Sequence, residues 1–143
     1  DMTVITVDGN HGIDAETSLS PSAISNDGTV VGYTGEGGWG EPRCGFILKA
    51  GETQPRLLSE VFSGIEQFAT YDANGMNVVT SITGDGRYIA GFGYNMGTVD
   101  FGDGPEPMPY VEAYVLDTNP AGSDGIRAIK EKYPELTDVV WPA

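Results

Sequence analysis

The sequence predicts a mainly β fold made of two repeated antiparallel β units with one or two short helices, and three observations carry that prediction. The segment Ile24-Ser25-Asn26-Asp27-Gly28-Thr29-Val30-Val31-Gly32-Tyr33 is matched, with one extra residue, by Ile82-Thr83-Gly84-Asp85-Gly86-Arg87-Tyr88-Ile89-Ala90-Gly91-Phe92. Each copy is followed, after a loop of its own length, by another strand-like run: Cys44-Gly45-Phe46-Ile47-Leu48 and then Glu112-Ala113-Tyr114-Val115-Leu116. The 21 glycines and nine prolines among 143 residues favour tight turns over long helices.

Within each copy an Asp-Gly turn separates two runs rich in β-branched and aromatic residues, the composition of a hairpin with one face on a core. Glycine accepts the positive φ of such a turn, and aspartate bonds nearby backbone amides. Gly32 and Gly91 lie inside the second strands, where a missing side chain marks a bulge or a close approach of neighbouring backbone. Between the copies, Leu58, Val61, Phe62, Ile65, Phe68 and Ala69 recur at steps of three and four, which predicts one amphipathic helix over residues 57–69. Ser123 or Asp124 is placed to cap a second helix through Tyr133, ended by Pro134. Residues 2–7 alternate threonine with apolar residues and read as one more strand. The whole of 1–143 is expected to form a single domain, with the first repeat and its helix over 23–69 and the second over 81–133. A chain of this size buries roughly two thirds of the surface its unfolded form exposes, enough for a core.

Composition narrows the partners. Seven basic against 21 acidic residues give a net charge of −14, which repels phosphate backbones and anionic lipid surfaces. Nucleic acid is therefore not an expected partner. No apolar run approaches the roughly 18 residues that span a bilayer, so no membrane insertion is expected, and no signal peptide is read at Asp1. The single cysteine, Cys44, allows no internal disulfide; beside Gly45 and Phe46 it reads as a small buried hydrophobe. His11 is the sole histidine, which excludes a multi-histidine metal site, and neither a serine-hydrolase elbow nor a phosphate-cradling glycine loop occurs.

The pattern from Ala23 through Ile24, Ser25, Asp27, Gly28, Val30 and Val31 to Gly32 and Tyr33 resembles the HAF-type repeat of bacterial secreted and surface proteins. Where that repeat carries Ala-Phe and then Trp, this chain has Gly45-Phe46 with Leu48, and Ala113-Tyr114 with Leu116. The resemblance covers about half the chain and implies propeller-blade-like or sandwich-like units in a non-enzymatic protein at an extracellular, cell-surface or periplasmic location. Propellers close with about four to eight blades. Two repeats therefore imply part of a longer chain, copies that assemble, or an open sandwich-like domain, the first and last being favoured.

Three places carry candidate chemistry. Asp8, Asn10 and Asp14 stand at alternating positions, a fragment of the spacing with which calcium loops wrap an ion, so calcium is the one cofactor to consider. Asp100, Asp103 and Glu106 cluster among glycines and prolines in the second loop, where a pair of carboxylates about 5 to 9 Å apart would suit glycoside hydrolysis. Trp39, between glycines in the first loop, and Tyr94 in the second are flat aromatics of the kind that stack sugars or anchor a protein partner. The leading expectation is a non-catalytic module binding a glycan or a protein through Trp39, Tyr94, Asp100, Asp103 and Glu106. Its rivals are a carbohydrate-active enzyme or accessory domain using the acidic loop, and a purely structural repeat segment.

Overall fold

The structure, a computed structural model, describes residues 1–35 and 41–118. Trp39 and the helix expected near the C-terminus lie outside them. The described residues form two antiparallel meanders, as the repeat predicts. The first sheet runs β1 (Leu19–Ile24), β2 (Val30–Thr34), β3 (Gly45–Leu48) and β4 (Arg56–Leu57) in spatial order. Two short helices follow, α1 (Leu58–Val61) and α2 (Glu66–Ala73), and then the second sheet, β5 (Asn77–Ile82), β6 (Tyr88–Asp100) and β7 (Pro105–Asp117).

The two Asp-Gly turns are built alike. Asp27 Oδ1 accepts from the Ser25 hydroxyl and the Thr29 amide, at 2.5 and 3.1 Å. Asp85 Oδ1 accepts from the Thr83 hydroxyl and the Arg87 amide, at 2.7 and 3.0 Å. Gly28 and Gly86 take φ of +93° and +75°, which a residue with a Cβ rarely adopts. The turns also touch, the Asn26 amide donating to the Gly84 carbonyl at 2.7 Å. Both hairpins carry a bulge at the same place: Ser22 and Thr80, each two residues before the turn-side isoleucine, have no partner across the ladder.

The glycines on the opposite strand explain themselves at those bulges. A Cβ on Gly32 would lie 2.1 Å from the Ser20 carbonyl oxygen, and one on Gly91 would lie 2.5 Å from that of Val78. The backbones approach too closely for any side chain, as both glycines suggested.

The two sheets stack through Val31 and Ile47 of the first and Val79, Ile89, Tyr114 and Leu116 of the second, with Leu58, Ile65, Phe68 and Tyr71 of the helices closing one end. Phe68 meets the Tyr114 ring edge-on at 5.1 Å, and Tyr71 stacks on it at 5.8 Å. A Cβ on Gly93 would lie 2.3 Å from the Tyr71 ring, so that glycine is the seat of the tyrosine.

Two elements differ from expectation. The helix expected over 57–69 is two helices broken between Phe62 and Ile65, where Ser63 and Gly64 are poor helix formers. The break lets Leu58 and Ile65 both point into the core, and α2 runs on to Ala73. It ends in a Schellman motif, with Gly75 at φ +90° and the Met76 amide donating to the Tyr71 carbonyl at 3.0 Å. Residues 2–7 are not a strand: Met2 and Val4 are exposed and no ladder reaches them. Alternation without a partner strand cannot hold extended backbone in place.

Candidate functional site

The most distinctive surface is the far half of β6 and β7. Thirteen consecutive pairs, from Tyr88–Asp117 to Asp100–Pro105, join these strands. Core contacts among the described residues stop near Gly93 and Glu112, and beyond them most of the ribbon's residues are exposed. Read as a proline-bounded loop, this segment is instead regular β structure. Prolines fit because Pro105, Pro107 and Pro109 alternate: each lacks an N–H to give β6, so its nitrogen faces the edge of β7 away from β6, where no described strand pairs. That also denies the edge to a pairing strand.

The ribbon displays apolar side chains to water. Phe101 at the tip is 68% exposed and Tyr110 47%, and Met96, Val99, Met108 and Val111 are exposed as well. Tyr110 lies across Gly97, where a Cβ would meet its ring at 3.2 Å, so its position is built rather than free. At the base, the Tyr71 hydroxyl donates to Glu112 Oε2 at 2.5 Å and the Tyr114 hydroxyl to Asn77 Oδ1 at 2.7 Å. Burial raises the pKa of both phenols, so they stay neutral donors that fasten the ribbon to the core.

The acidic residues of the second loop sit on this ribbon but do not converge. Asp100 Oδ1 accepts from the Gly102 and Gly104 amides at 2.7 and 3.3 Å, so it shapes the tip. Glu106 pairs with Val99 on the face opposite Asp100, and Asp103 is exposed in the turn between them. A carboxylate pair facing one scissile bond is not formed by these residues. Tyr94 shares a face with Asp100, but six residues, or roughly 20 Å of strand, separate them. Tyr94 and the acidic tip are therefore two places.

In the N-terminal segment, Asp8 Oδ1 accepts from the Asn10 amide at 2.9 Å, and that bond lowers the Asp8 pKa. The Asp8 amide in turn donates to Gln54 Oε1 at 2.9 Å. Among the described residues no three His, Cys, Asp or Glu side chains are gathered as a metal would need. Asp8, Asn10 and the exposed Asp14 read as a turn that seats the buried Ile13 over the first sheet. A pocket of about 220 Å³ lies between this segment and Thr34 and Cys44, below the roughly 300 Å³ at which ligand pockets begin. Cys44 beside it is no nucleophile: burial, with the neighbouring Asp72 charge, pushes its thiol up to about 12.

The exposed apolar ribbon is the feature that sequence reading missed. Its signal was present in the alternation of Pro105, Pro107 and Pro109 with Glu106, Met108 and Tyr110, a period of two. No protein-family pattern, characterised protein or solved structure matches the chain, and its function is argued from this geometry.

Proposed function

We propose that the chain is a non-catalytic, secreted or cell-surface β-repeat module that binds a protein through the β6–β7 ribbon. One observation carries the reading: the ribbon continues regular pairing well past the core while exposing Met96, Val99, Phe101, Met108, Tyr110 and Val111. Clustered exposed apolar side chains on a rigid support are the usual mark of a protein-binding surface. Methionines and a tip phenylalanine suit a protein partner better than a sugar, whose hydroxyls ask for polar groups beside each aromatic. The extracytoplasmic placement rests on the HAF-type pattern of residues 23–33.

A phage-displayed peptide library and a glycan array, each probed with the intact chain, test this. The expected result is selection of apolar peptides whose binding falls at least about tenfold in Tyr110→Ser and Phe101→Ser, both exposed and outside the core. Binding on the glycan array alone would replace the partner class. Silence in both would leave a purely structural repeat.

A further inference from the structure

One face of the ribbon carries apolar and acidic side chains in a single row. Residues paired across the ladder share a face, so Glu106, Met108, Tyr110 and Glu112 of β7 stand together with Val99 of β6. Along β7 the order is carboxylate, thioether, aromatic ring, carboxylate, at every second residue. Val99, Met108 and Tyr110 are 37, 38 and 47% exposed, and Glu106 is exposed as well, so the row is open to solvent. Glu112, half-buried at the base, accepts the Tyr71 hydroxyl at Oε2. A carboxylate accepts up to about four hydrogen bonds, which leaves room for further donors.

The alternation constrains what can cover this face. From residue 88 to residue 126 the sequence holds no lysine, arginine or histidine, and none of the ion pairs among the described residues includes Glu106 or Glu112. A segment lying on Met108 and Tyr110 meets Glu106 on one side and Glu112 on the other. Taking a carboxylate out of water without a counter-charge costs far more than the burial of a methionine or a tyrosine returns. A neutral apolar partner is therefore penalised by the face it covers. A partner with a cation at each end removes that penalty, and a net charge of −14 draws such a partner in. The prolines fix how it lies: Pro105, Pro107 and Pro109 close that stretch of the β7 edge to a pairing strand, so the partner packs on the face.

We infer that the protein partner presents an extended segment with two basic residues matched to Glu106 and Glu112, and apolar side chains between them on Met108 and Tyr110. This rests on the proposed protein binding by the ribbon and specifies its partner. Glu106 and Glu112 are six residues apart, roughly 20 Å of strand, so an extended segment meets them with basic residues six apart. The cation at Glu112 is an arginine. Tyr110 stands two residues away on the same face, roughly 7 Å along the strand, with its ring laid on Gly97. A planar guanidinium bonds a carboxylate while stacking on such a ring, which a lysine ammonium does less well.

Calorimetric titration of the intact chain with synthetic peptides provides the test. The parent peptide has arginines six positions apart with apolar residues at the second and fourth positions between them, and its relatives replace both arginines by lysine or by glutamine. The expected order of affinity is arginine, lysine, glutamine, with at least about tenfold between the first and last, and the arginine peptide should weaken as salt rises to about 1 M. Glu106→Gln, at an exposed position, should weaken the arginine peptide by about tenfold and leave the glutamine peptide unchanged or tighter. Glu112→Gln should do the same, and Tyr110→Leu should erase the preference for arginine over lysine. Should Glu112→Gln fail to fold by circular dichroism, Glu106→Gln decides alone. Equal binding of the arginine and glutamine peptides, abolished by Tyr110→Ser, overturns the inference while leaving protein binding by the ribbon in place. Arginine-peptide binding that Glu106→Gln leaves intact also overturns it. So does an arginine peptide that does not bind, whatever a peptide library selects.

Discussion

The first and second units share a turn, a bulge and a buried glycine, yet they differ in what they do with the strands that follow. In the first, β2 ends at Thr34, β3 starts at Gly45, and the sheet closes with the two-residue β4. In the second, both strands run to 13 residues and carry a ribbon into solvent. The common parts are those where backbone meets backbone, and there the chemistry leaves no choice. The divergent parts begin where core contacts end. Elaboration has thus gone into length, leaving the hairpin recipe unchanged.

The bulge glycines test that shared recipe most severely. Gly32→Ala and Gly91→Ala each drive a Cβ into a carbonyl oxygen that belongs to the ladder, at 2.1 and 2.5 Å. Neither backbone can yield without losing its pairing. We expect each to cost about 3 kcal/mol or more in chemical denaturation, the upper end of overpacking penalties. Gly64→Ala, where a Cβ meets nothing within 4 Å, is the control and should be neutral or stabilising by up to about 1 kcal/mol. A mild Gly91→Ala beside a severe Gly32→Ala would show that only the first bulge is tight.

The equivalent aromatics Phe46 and Tyr114 separate the units more gently. Both are buried beside the bulge glycine, but Tyr114 adds a hydroxyl that donates to the fully buried Asn77. Tyr114→Phe leaves Asn77 Oδ1 without that donor and should cost about 1 to 3 kcal/mol. Phe46→Tyr should cost a similar amount for the opposite reason, since it adds a hydroxyl at a position with no exposure to water. Paired denaturation curves for the two variants check both. If Phe46→Tyr were tolerated, the two sites would be less distinct than their packing indicates.

These positions also mark how far the sequence could be read. The Asp-Gly turns and the close approach at Gly32 and Gly91 were legible because each depends on a residue type that nothing else replaces. The choice of faces was not. Ala23 and Ile24, Val30 and Val31, Ile89 and Ala90 are adjacent apolar pairs, so the period of two that tells inside from outside is erased. The broken helix was hidden because Leu58, Val61, Phe62, Ile65 and Phe68 suit one long helix as well as two short ones. The candidate site residues Tyr94, Asp100 and Glu106 lie on a ribbon rather than in a loop. A strand that alternates proline with exposed residues has the composition of a loop, and only its register reveals pairing.

The smallest expected effect is the finest probe of the shared turn. The hydroxyls of Ser25 and Thr83, with the amides of Thr29 and Arg87, hold Asp27 and Asp85 below a carboxylate's ordinary value of 3.8. A group whose folded pKa is depressed stabilises above its unfolded pKa, and that contribution is lost as pH falls through the lower, folded value. Melting temperature should therefore drop less steeply on acidification below about pH 4 in Asp27→Asn and in Asp85→Asn than in the parent chain, because asparagine keeps the turn's acceptor without the proton linkage. Equal changes from the two variants would confirm that the turns are interchangeable. One inequality is expected, since Arg87 adds a favourable charge beside Asp85 while no such cause acts on Asp27. That excess is Coulombic and solvent-exposed, so it should disappear in about 1 M salt, while the part the hydroxyls supply persists in both turns.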